Sequence, residues 1–374
     1  MVTENRPGIG PSSTVNLSLS NAFYRADTAP WPILNKMRPK RGSTIQKKQG
    51  ELALIDRIRR RVSRTSTSGL SLGIGDDCAL LRLKAGEEAA VTTDLSIEGR
   101  HFRLNLHSAE AIGHRAIARG LSDIAAMGAR PVAAFLSLGL PLKLTRPAGR
   151  ASSSWIDRFL DGFLALAGQY QTPLAGGDLA QSPIAIADIV LIGAVPRGKA
   201  LFRSGARPGD VIYVTGCLGG SAYGLRRLIR RPSRTQSQDL APHLWPQPRI
   251  PQGIWLRSRN AASAAIDISD GLSTDLFHLC VESGISAEIN ADALPLFPGA
   301  RIDDALNGGE DYELLFTASP KARLPHSISG VRLTRIGAVM KNRAADRVVL
   351  VDSAGRRQPL APGGWEHFRA SKPE

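Results

Sequence analysis

Apolar positions recur at helical spacing in several stretches of this 374-residue chain, and they alternate or run together in the stretches between. Leu52, Ile55, Ile58 and Val62 fall on one helical face, with Arg57, Arg59, Arg60 and Arg61 between them. Residues 109–127 predict a second helix with Ile112, Ala116, Leu121, Ile124 and Ala125 inward, closed by Gly128 and then Pro131. A third, at about 154–168, carries Trp155, Phe159, Phe163 and Leu166. "GGSAYGLRRLI" and the run Leu272, Leu276, Leu279 and Cys280 predict two more, the latter with Ser269 as its cap and Gly284 as its stop. Between them "SLGIGDDCALLRL" and "EAAVTTDLSIEGRHF" read as extended, and "VAAFLSLGL", "IAIADIVLIGAV" and "VIYVTG" as buried strands. "SAEINADALPL", "GGEDYELLFTA" and "VRLTRIGAV" are further strands. Strands and helices alternate in both halves, so each half is expected to be an α/β or α+β layer structure. The turn-dense "PRGKALFRSGARPGD" marks the boundary, giving domains at 50–197 and 198–374 after an extension, 1–49.

Charge changes the picture at the ends rather than in the middle. The formal net charge is +15, with 43% hydrophobic and 22% charged residues, which excludes a chain disordered throughout and a disulfide scaffold. Residues 1–49 hold eight Lys and Arg against Glu4 and Asp27, lack periodicity, and read as a disordered basic tail; Met37 is an alternative start. Arg226, Arg227, Arg230, Arg231 and Arg234 cluster beside a polar stretch, 232–248, expected to be a long surface loop. A basic chain invites a nucleic-acid reading, but aromatic content of 5% and the lack of aromatic–basic alternation speak against a stacking surface. No apolar run approaches the ~18 residues of a membrane span. Cys78, Cys217 and Cys280 form no C-x-x-C pair, which argues against zinc and fits a reducing, cytoplasmic setting.

The candidate chemistry lies in aspartates that follow small residues. They occur at Gly75-Asp76-Asp77, Thr92-Thr93-Asp94, Leu121-Ser122-Asp123, Gly176-Gly177-Asp178, Ile268-Ser269-Asp270 and Ser273-Thr274-Asp275. Any one of these is a turn former or helix cap. Six in one chain point to carboxylates that converge, and converging carboxylates need cations. Magnesium suits them, because it takes oxygen ligands and bridges carboxylates to phosphates. Gly193-x4-Gly198-Lys199 has P-loop spacing, but Ala200 supplies no hydroxyl and Pro196 interrupts it, so a turn is expected there. Cys78 is expected to be a buried packing thiol.

With these segments in order, the chain resembles the thiamine-monophosphate kinase family of the aminoimidazole-ribonucleotide-synthetase-like superfamily. The matching segments are "GIGDDCALL" (73–81), "TTDLSIEGRHF" (92–102), "LSDIAAMGARP" (121–131), "LAGGD" (174–178), "RSGARPGDVIYVTGCLG" (203–219), "AIDISDGLSTDLFHLCVESG" (265–284), "ALNGGEDYELLFT" (305–317) and "GWEHF" (364–368). The resemblance implies a two-domain PurM-like α/β (α+β) fold. It implies a homodimer whose N-terminal domains pair into a β-barrel-like sheet, and transfer of a phosphoryl group from ATP to thiamine monophosphate. By the same resemblance Asp77, Thr92, Thr93, Asp94, Asp123, Asp178, Asp267 and Asp270 would hold several Mg²⁺ ions, with Asp94, Asp123 and Asp270 catalytic. Gly177, Asp178, Arg203 and Ser269 would contact ATP, and His101, Glu310 and Trp365 the thiamine phosphate. The chain departs from the family pattern at Leu179-Ala180-Gln181, where hydroxyl and basic residues are usual, and at Gly220, where an aspartate is common. A hydrogenase-maturation protein's C-terminal cysteine is not matched here, since the sequence ends "SKPE". A selenophosphate synthetase's reactive cysteine in a Gly-rich N-terminal segment would have to be Cys78, which is expected instead to be a buried packing thiol.

Overall fold

The computed structural model describes residues 51–62, 69–147, 153–230, 238–343, 346–366 and 368. The basic segment 1–49, Arg231, Arg234 and His367 lie outside the described residues. Helix α1 (Glu51–Val62) and a small hairpin, β1 (Leu70–Leu72) with β2 (Leu80–Leu81), precede the long strand β3 (Glu87–Ile97). Then come α2 (Ala109–Ala126), β4 (Arg130–Leu140), α3 (Leu142–Thr145), α4 (Trp155–Gln169), β5 (Leu174–Gly176), β6 (Leu179–Gln181) and β7 (Ile186–Pro196). The second half runs β8 (Val211–Thr215), α5 (Gly220–Arg230), α6 (Ala241–Leu244), α7 (Ile250–Ser258), β9 (Ala264–Ile268), α8 (Leu272–Ser283), β10 (Ser286–Asn290) and α9 (Ile302–Asn307). It ends with β11 (Glu313–Ala318), β12 (Ser327–Ile328), β13 (Val331–Met340), β14 (Val348–Val351) and β15 (Arg357–Pro359).

Two mixed sheets result. The first has the order β3-β7-β4-β5, with β6 also pairing β4 in parallel; β3 is antiparallel to β7 along its whole length, from Glu87↔Pro196 to Ile97↔Ile186. The second has the order β15-β14-β10-β13-β8-β11-β9, with β12 on β13. Ser154 and Asp157 form the capping box that starts α4. Gly284, in the left-handed region at φ 65°, stops α8 as expected.

One helix ties the halves together. α2 is buried on nearly every side, and its core cluster joins Ile112, Ile117 and Leu121 to Phe159 and Phe163 of α4 and to Ala265, Leu314 and Phe316 of the second sheet. Its neighbours approach too closely for side chains. A Cβ on Gly113 would come 1.9 Å from the carbonyl oxygen of Phe159, one on Gly162 1.9 Å from that of Glu110, and one on Gly253 1.9 Å from that of Ala125. The glycines therefore set how near α4 and α7 lie to α2, and so where the ends of α2 point.

Three expectations are corrected. Ser269 is not the cap of α8: Gly271 holds that position, and the Asp275 carboxylate accepts the amide hydrogens of Ser269, Asp270 and Gly271 at 3.0, 3.1 and 3.1 Å. A carboxylate outcompetes a hydroxyl for a cluster of amides near a helix start. The stretch 238–248 is not a surface loop. It forms a short 3₁₀ turn and α6, and Leu240, Leu244 and His243 are buried against Ala111 and Leu228 or within the site. Cys78 is exposed rather than buried. The Gly193–Lys199 spacing is the end of β7 and a turn, closed by the Lys199 amide donating to the Pro196 carbonyl at 3.0 Å.

The close crossing makes a test of the scaffold. Gly113→Ala should lower stability by about 1–3 kcal/mol, because the helices cannot part without loosening the core. Gly168→Ala near the end of α4, where a Cβ meets nothing within 4 Å, should instead leave Tm unchanged or raise it. Thermal melts of the two variants side by side check this, and equal Tm values would show that the crossing is not tight.

Candidate active site

The strand period decides which β3 side chains meet. Thr92, Asp94 and Ser96 share one face, toward α2, while Val91, Thr93 and Leu95 share the other and are exposed. The Thr92 hydroxyl donates to the Asp123 carboxylate near the end of α2, and the neighbouring Ser122 hydroxyl donates to Asp267 of β9 at 2.7 Å. The end of α2 thus sits between the two sheets and draws Asp94, Asp123 and Asp267 into one acidic cluster.

Its electrostatics are unfavourable as they stand. Burial, followed by repulsion from Asp123, pushes Asp94 up to about 6, with Arg119 opposing and Asp188 adding to the rise. Burial raises Asp123 as well, against the pull of Thr92, Arg203 and Arg119. Asp267, fully enclosed, is raised well above the carboxylate range by burial and then by Asp123 and Asp275. Asp94 Oδ2 is buried without a hydrogen-bond partner among the described residues. Among those residues no set of three or more His, Cys, Asp or Glu side chains is gathered closely enough to hold an ion alone. The arrangement fits Mg²⁺ nonetheless, since that ion takes one or two protein carboxylates and completes its shell with water and phosphate oxygens.

A cavity of about 330 Å³ lies close by, lined by His101, Arg119, Ser269, Asp270, Glu310 and Trp365 together with apolar Leu106 and Leu225. The Ile97 amide donates to His101 Nδ1 at 3.0 Å. Glu310 sits at φ 66° in a turn tied to β9 by its own amide, which donates to the Ser269 carbonyl at 2.7 Å. Such a backbone persists only when its surroundings hold it. Arg115 of α2 does so, donating to Glu310 at 2.5 Å and to the carbonyls of His101 and His243 at 3.2 and 2.9 Å. Burial raises the Glu310 carboxyl, but Arg115 and Arg119 outweigh it and hold the group below its ordinary value. Trp365 is brought in by its amide donating to the Asp270 carbonyl at 3.1 Å, and Gly363 and Gly364 dock on the Ser273 and Thr274 hydroxyls. Behind Glu310, His107 and His243 meet at 3.0 Å, and Ser221 lies 3.0 Å from His243.

The remaining residues are elsewhere. Asp77, Gly177 and Asp178 line a second cavity of about 560 Å³, with Ile55, Ile58, Leu138 and Leu160, that shares no lining residue with the first. Asp178 accepts the Leu179 amide hydrogen at 2.8 Å. Arg203 is exposed, and its charge acts on Asp123. Leu179–Gln181 form β6. Gly220 begins α5, where a Cβ would come 2.8 Å from Pro242 of α6, leaving no room for an aspartate unless that helix shifts. Sequence reasoning missed Arg115, Arg119, His107 and His243. Its usable signal was a pair of arginines at i, i+4 on a helix whose apolar face already faces inward.

Comparison with known proteins accords with this geometry. Residues 75–196 match the model for the AIR synthase related protein, N-terminal domain, and 207–340 that for the C-terminal domain. A thiamine-monophosphate kinase of Salmonella typhimurium is 42% identical over 280 residues, 72% of this chain and 82% of the relative. The crystal structure of thiamine-monophosphate kinase from Stenotrophomonas maltophilia K279a superposes with a TM-score of 0.69 at 38% identity, covering 79% of this chain and 95% of that one. A second solved structure, AaThiL complexed with AMPPCP and TMP, gives 0.65 at 31% identity, covering 87% and 100%. The chain therefore belongs to the thiamine-monophosphate kinase family, phosphotransferases built from the two AIR synthase related domains.

Proposed function

We propose that this chain transfers the terminal phosphoryl group of ATP to the phosphate of thiamine monophosphate, giving thiamine diphosphate and ADP, with Mg²⁺ at the buried carboxylates. The observation that carries the reading is the Asp94 oxygen without a partner among the described residues, beside buried carboxylates whose proton affinity burial and Asp123 raise, next to a cavity of mixed lining. Carboxylates kept charged out of water require cations. Thr92, Asp94, Asp123, Asp267 and Asp270 would hold ions from this side, Asp77 and Asp178 a separate ion in the second cavity, while Thr93 points away from the cluster on the other face of β3. When bound, the ions screen the repulsion between two phosphate groups and polarise their oxygens.

The residues do the rest by position. The apolar lining around Gly177 and Asp178 suits a nucleobase, and Arg203 and Ser269 would take phosphate oxygens. Glu310, held ionised by Arg115, complements the positive charge of a thiazolium ring, and Trp365 offers an aromatic face for stacking. His101 would complete that pocket. In the transfer, the bond between the γ-phosphorus and the β–γ bridging oxygen breaks and its electron pair leaves with ADP. A phosphate oxygen of thiamine monophosphate forms the new bond. That oxygen is already ionised near neutral pH, so no general base and no phospho-enzyme is required.

A homodimer fits the exposed edge of the first sheet. On β3, Val91 is 61% exposed and Leu95 47%, and an apolar edge of this length is what a second copy would cover in a barrel-like pairing. The turn-rich stretch between β7 and β8 supports dividing the chain into domains 50–197 and 198–374. Three free cysteines accord with a cytoplasmic setting.

ADP release should depend on both Mg²⁺ and thiamine monophosphate, with free thiamine and no acceptor giving background; acceptor-independent release would reject the reading. Asp94→Asn and Asp123→Asn should lower kcat by about 10²-fold or more and raise the Mg²⁺ needed for half-maximal rate. Wild-type rates in either would remove that residue from the ion set. Trp365→Ala should raise KM for thiamine monophosphate roughly tenfold with kcat little changed, and an unaltered KM would dismiss the stacking role. Val91→Glu should convert a dimer to a monomer in light scattering, whereas an unchanged mass would place the interface elsewhere.

A further inference from the structure

Arg115 and Arg119 lie one turn apart on α2, and their surroundings differ. Arg115 is saturated: its guanidinium reaches Glu310, two carbonyl oxygens and the His243 ring. Among the described residues Arg119 has only long contacts, 3.5 Å to the Leu95 carbonyl, 3.5 Å to the Ser96 hydroxyl and 4.0 Å from Asp94. Those are the outer limits of hydrogen bonding, for a group with five donors. It is four-fifths covered, and it lines both the 330 Å³ cavity and the small recess behind it that Ser96, His101 and Glu310 share. Tyr312, Glu310, Asp94 and Asp270 all act on its charge.

A guanidinium serving only as a counter-ion closes to contact, as Arg249 does with Glu313 and Arg226 with Asp304. Arg119 stops short of Asp94, whose Oδ2 stays without a partner. The position is that of a cation held between an acidic cluster and a substrate cavity, with its donors uncommitted to strong bonds. Planar, forked donors of this kind match phosphate oxygens two at a time, which a lysine ammonium does not.

We propose that Arg119 is a catalytic residue, its guanidinium donating to phosphate oxygens at the junction of the acidic cluster and the cavity while the phosphoryl group passes. The proposal rests on the function given above. Arg119 stays protonated throughout; it binds and releases no proton, and the bonds made and broken are those already described. Its role is to offset negative charge on the acceptor phosphate and the transferring group, where fixed donors in a site shielded from water are most effective.

The test compares wild type, Arg119→Ala and Arg119→Lys in ADP release with thiamine monophosphate, alongside thermal melts and added guanidinium chloride at millimolar concentration. Wild type without acceptor-dependent release would reject the function itself, independently of this residue. With wild type active, the expectation is a kcat lower by about 10²–10³-fold in Arg119→Ala. Arg119→Lys should lose at least about tenfold, since one ammonium cannot span two oxygens. Guanidinium should restore part of the Arg119→Ala rate without speeding wild type, and KM for ATP should stay within twofold. A rate within twofold of wild type in either variant overturns the proposal, as does a loss in Arg119→Ala that guanidinium leaves untouched. If Arg119→Ala does not fold, Arg119→Lys decides: a tenfold fall in kcat at wild-type Tm supports the role, and an unchanged kcat overturns it.

Discussion

Like charges taken out of water govern this molecule. Asp94, Asp123 and Asp267 come from β3, α2 and β9; Asp123 makes both of the others harder to ionise, and Asp94 adds to the effect on Asp267. The fold gives them only partial relief: the Thr92 hydroxyl for Asp123, the Ser122 hydroxyl for Asp267, and the distant charges of Arg119 and Arg203. A half-satisfied buried network is a poor way to stabilise a protein. Its persistence marks a site whose free energy is meant to be lowered by something that binds there. The acidic cluster therefore depends on the rigidity of what surrounds it, because carboxylates free to move apart would do so.

That rigidity is concentrated in α2. It presents Ser122 and Asp123 to the acidic cluster and, two turns earlier, Arg115 to Glu310, so both sides of the site are fixed by one helix. The glycine contacts with α4 and α7 prevent it from sliding or tilting, since backbone meets backbone with no flexible side chain between. The second sheet leans on the same helix through Ala265, Leu314 and Phe316. Both sheets are thus positioned from one element.

The sequence made the scaffold legible where periodicity and punctuation agree. α2, α4 and α8 carry spaced apolar residues and end at recognisable signals, and β4 and β7 are long apolar runs, so their extents are close to those expected. It misled where composition and burial disagree. Proline and glutamine in 238–248 resemble loop chemistry, yet Leu240, Leu244 and His243 are inside, because α5 and α2 leave a groove that needs filling. Of the triplet aspartates, Asp94 and Asp123 come together beside Asp267, which only the family resemblance had named, whereas Asp275 serves the α8 start and Asp77 and Asp178 line a different cavity. Triplets of small residue and aspartate cannot distinguish these fates, since ligand and cap are the same chemistry in different surroundings. The arginines went unread for another reason: a basic residue on an apolar helix face looks like an interruption until the buried acid that it answers is known.

The charges around the substrate cavity can be followed one by one, and they leave a specific imbalance. Burial, then Arg115, pushes His107 down to about 4, and His243 falls well below its ordinary value for the same reasons, so both rings are neutral near pH 7. A neutral ring accepts from Arg115 rather than repelling it. Arg115 is accordingly committed to Glu310, one full charge against another at hydrogen-bond distance, and with Arg119 it keeps that carboxylate charged at the cavity wall. Arg119 closes to contact with none of the acids that act on it among the described residues: Glu310 is held by Arg115, and Asp94 stands 4.0 Å away and is engaged electrostatically with Asp123. A single turn of helix thus separates a charge used to hold a loop in a strained conformation from a charge left facing the cavity. The difference lies in where the acids were placed, not in the arginines themselves.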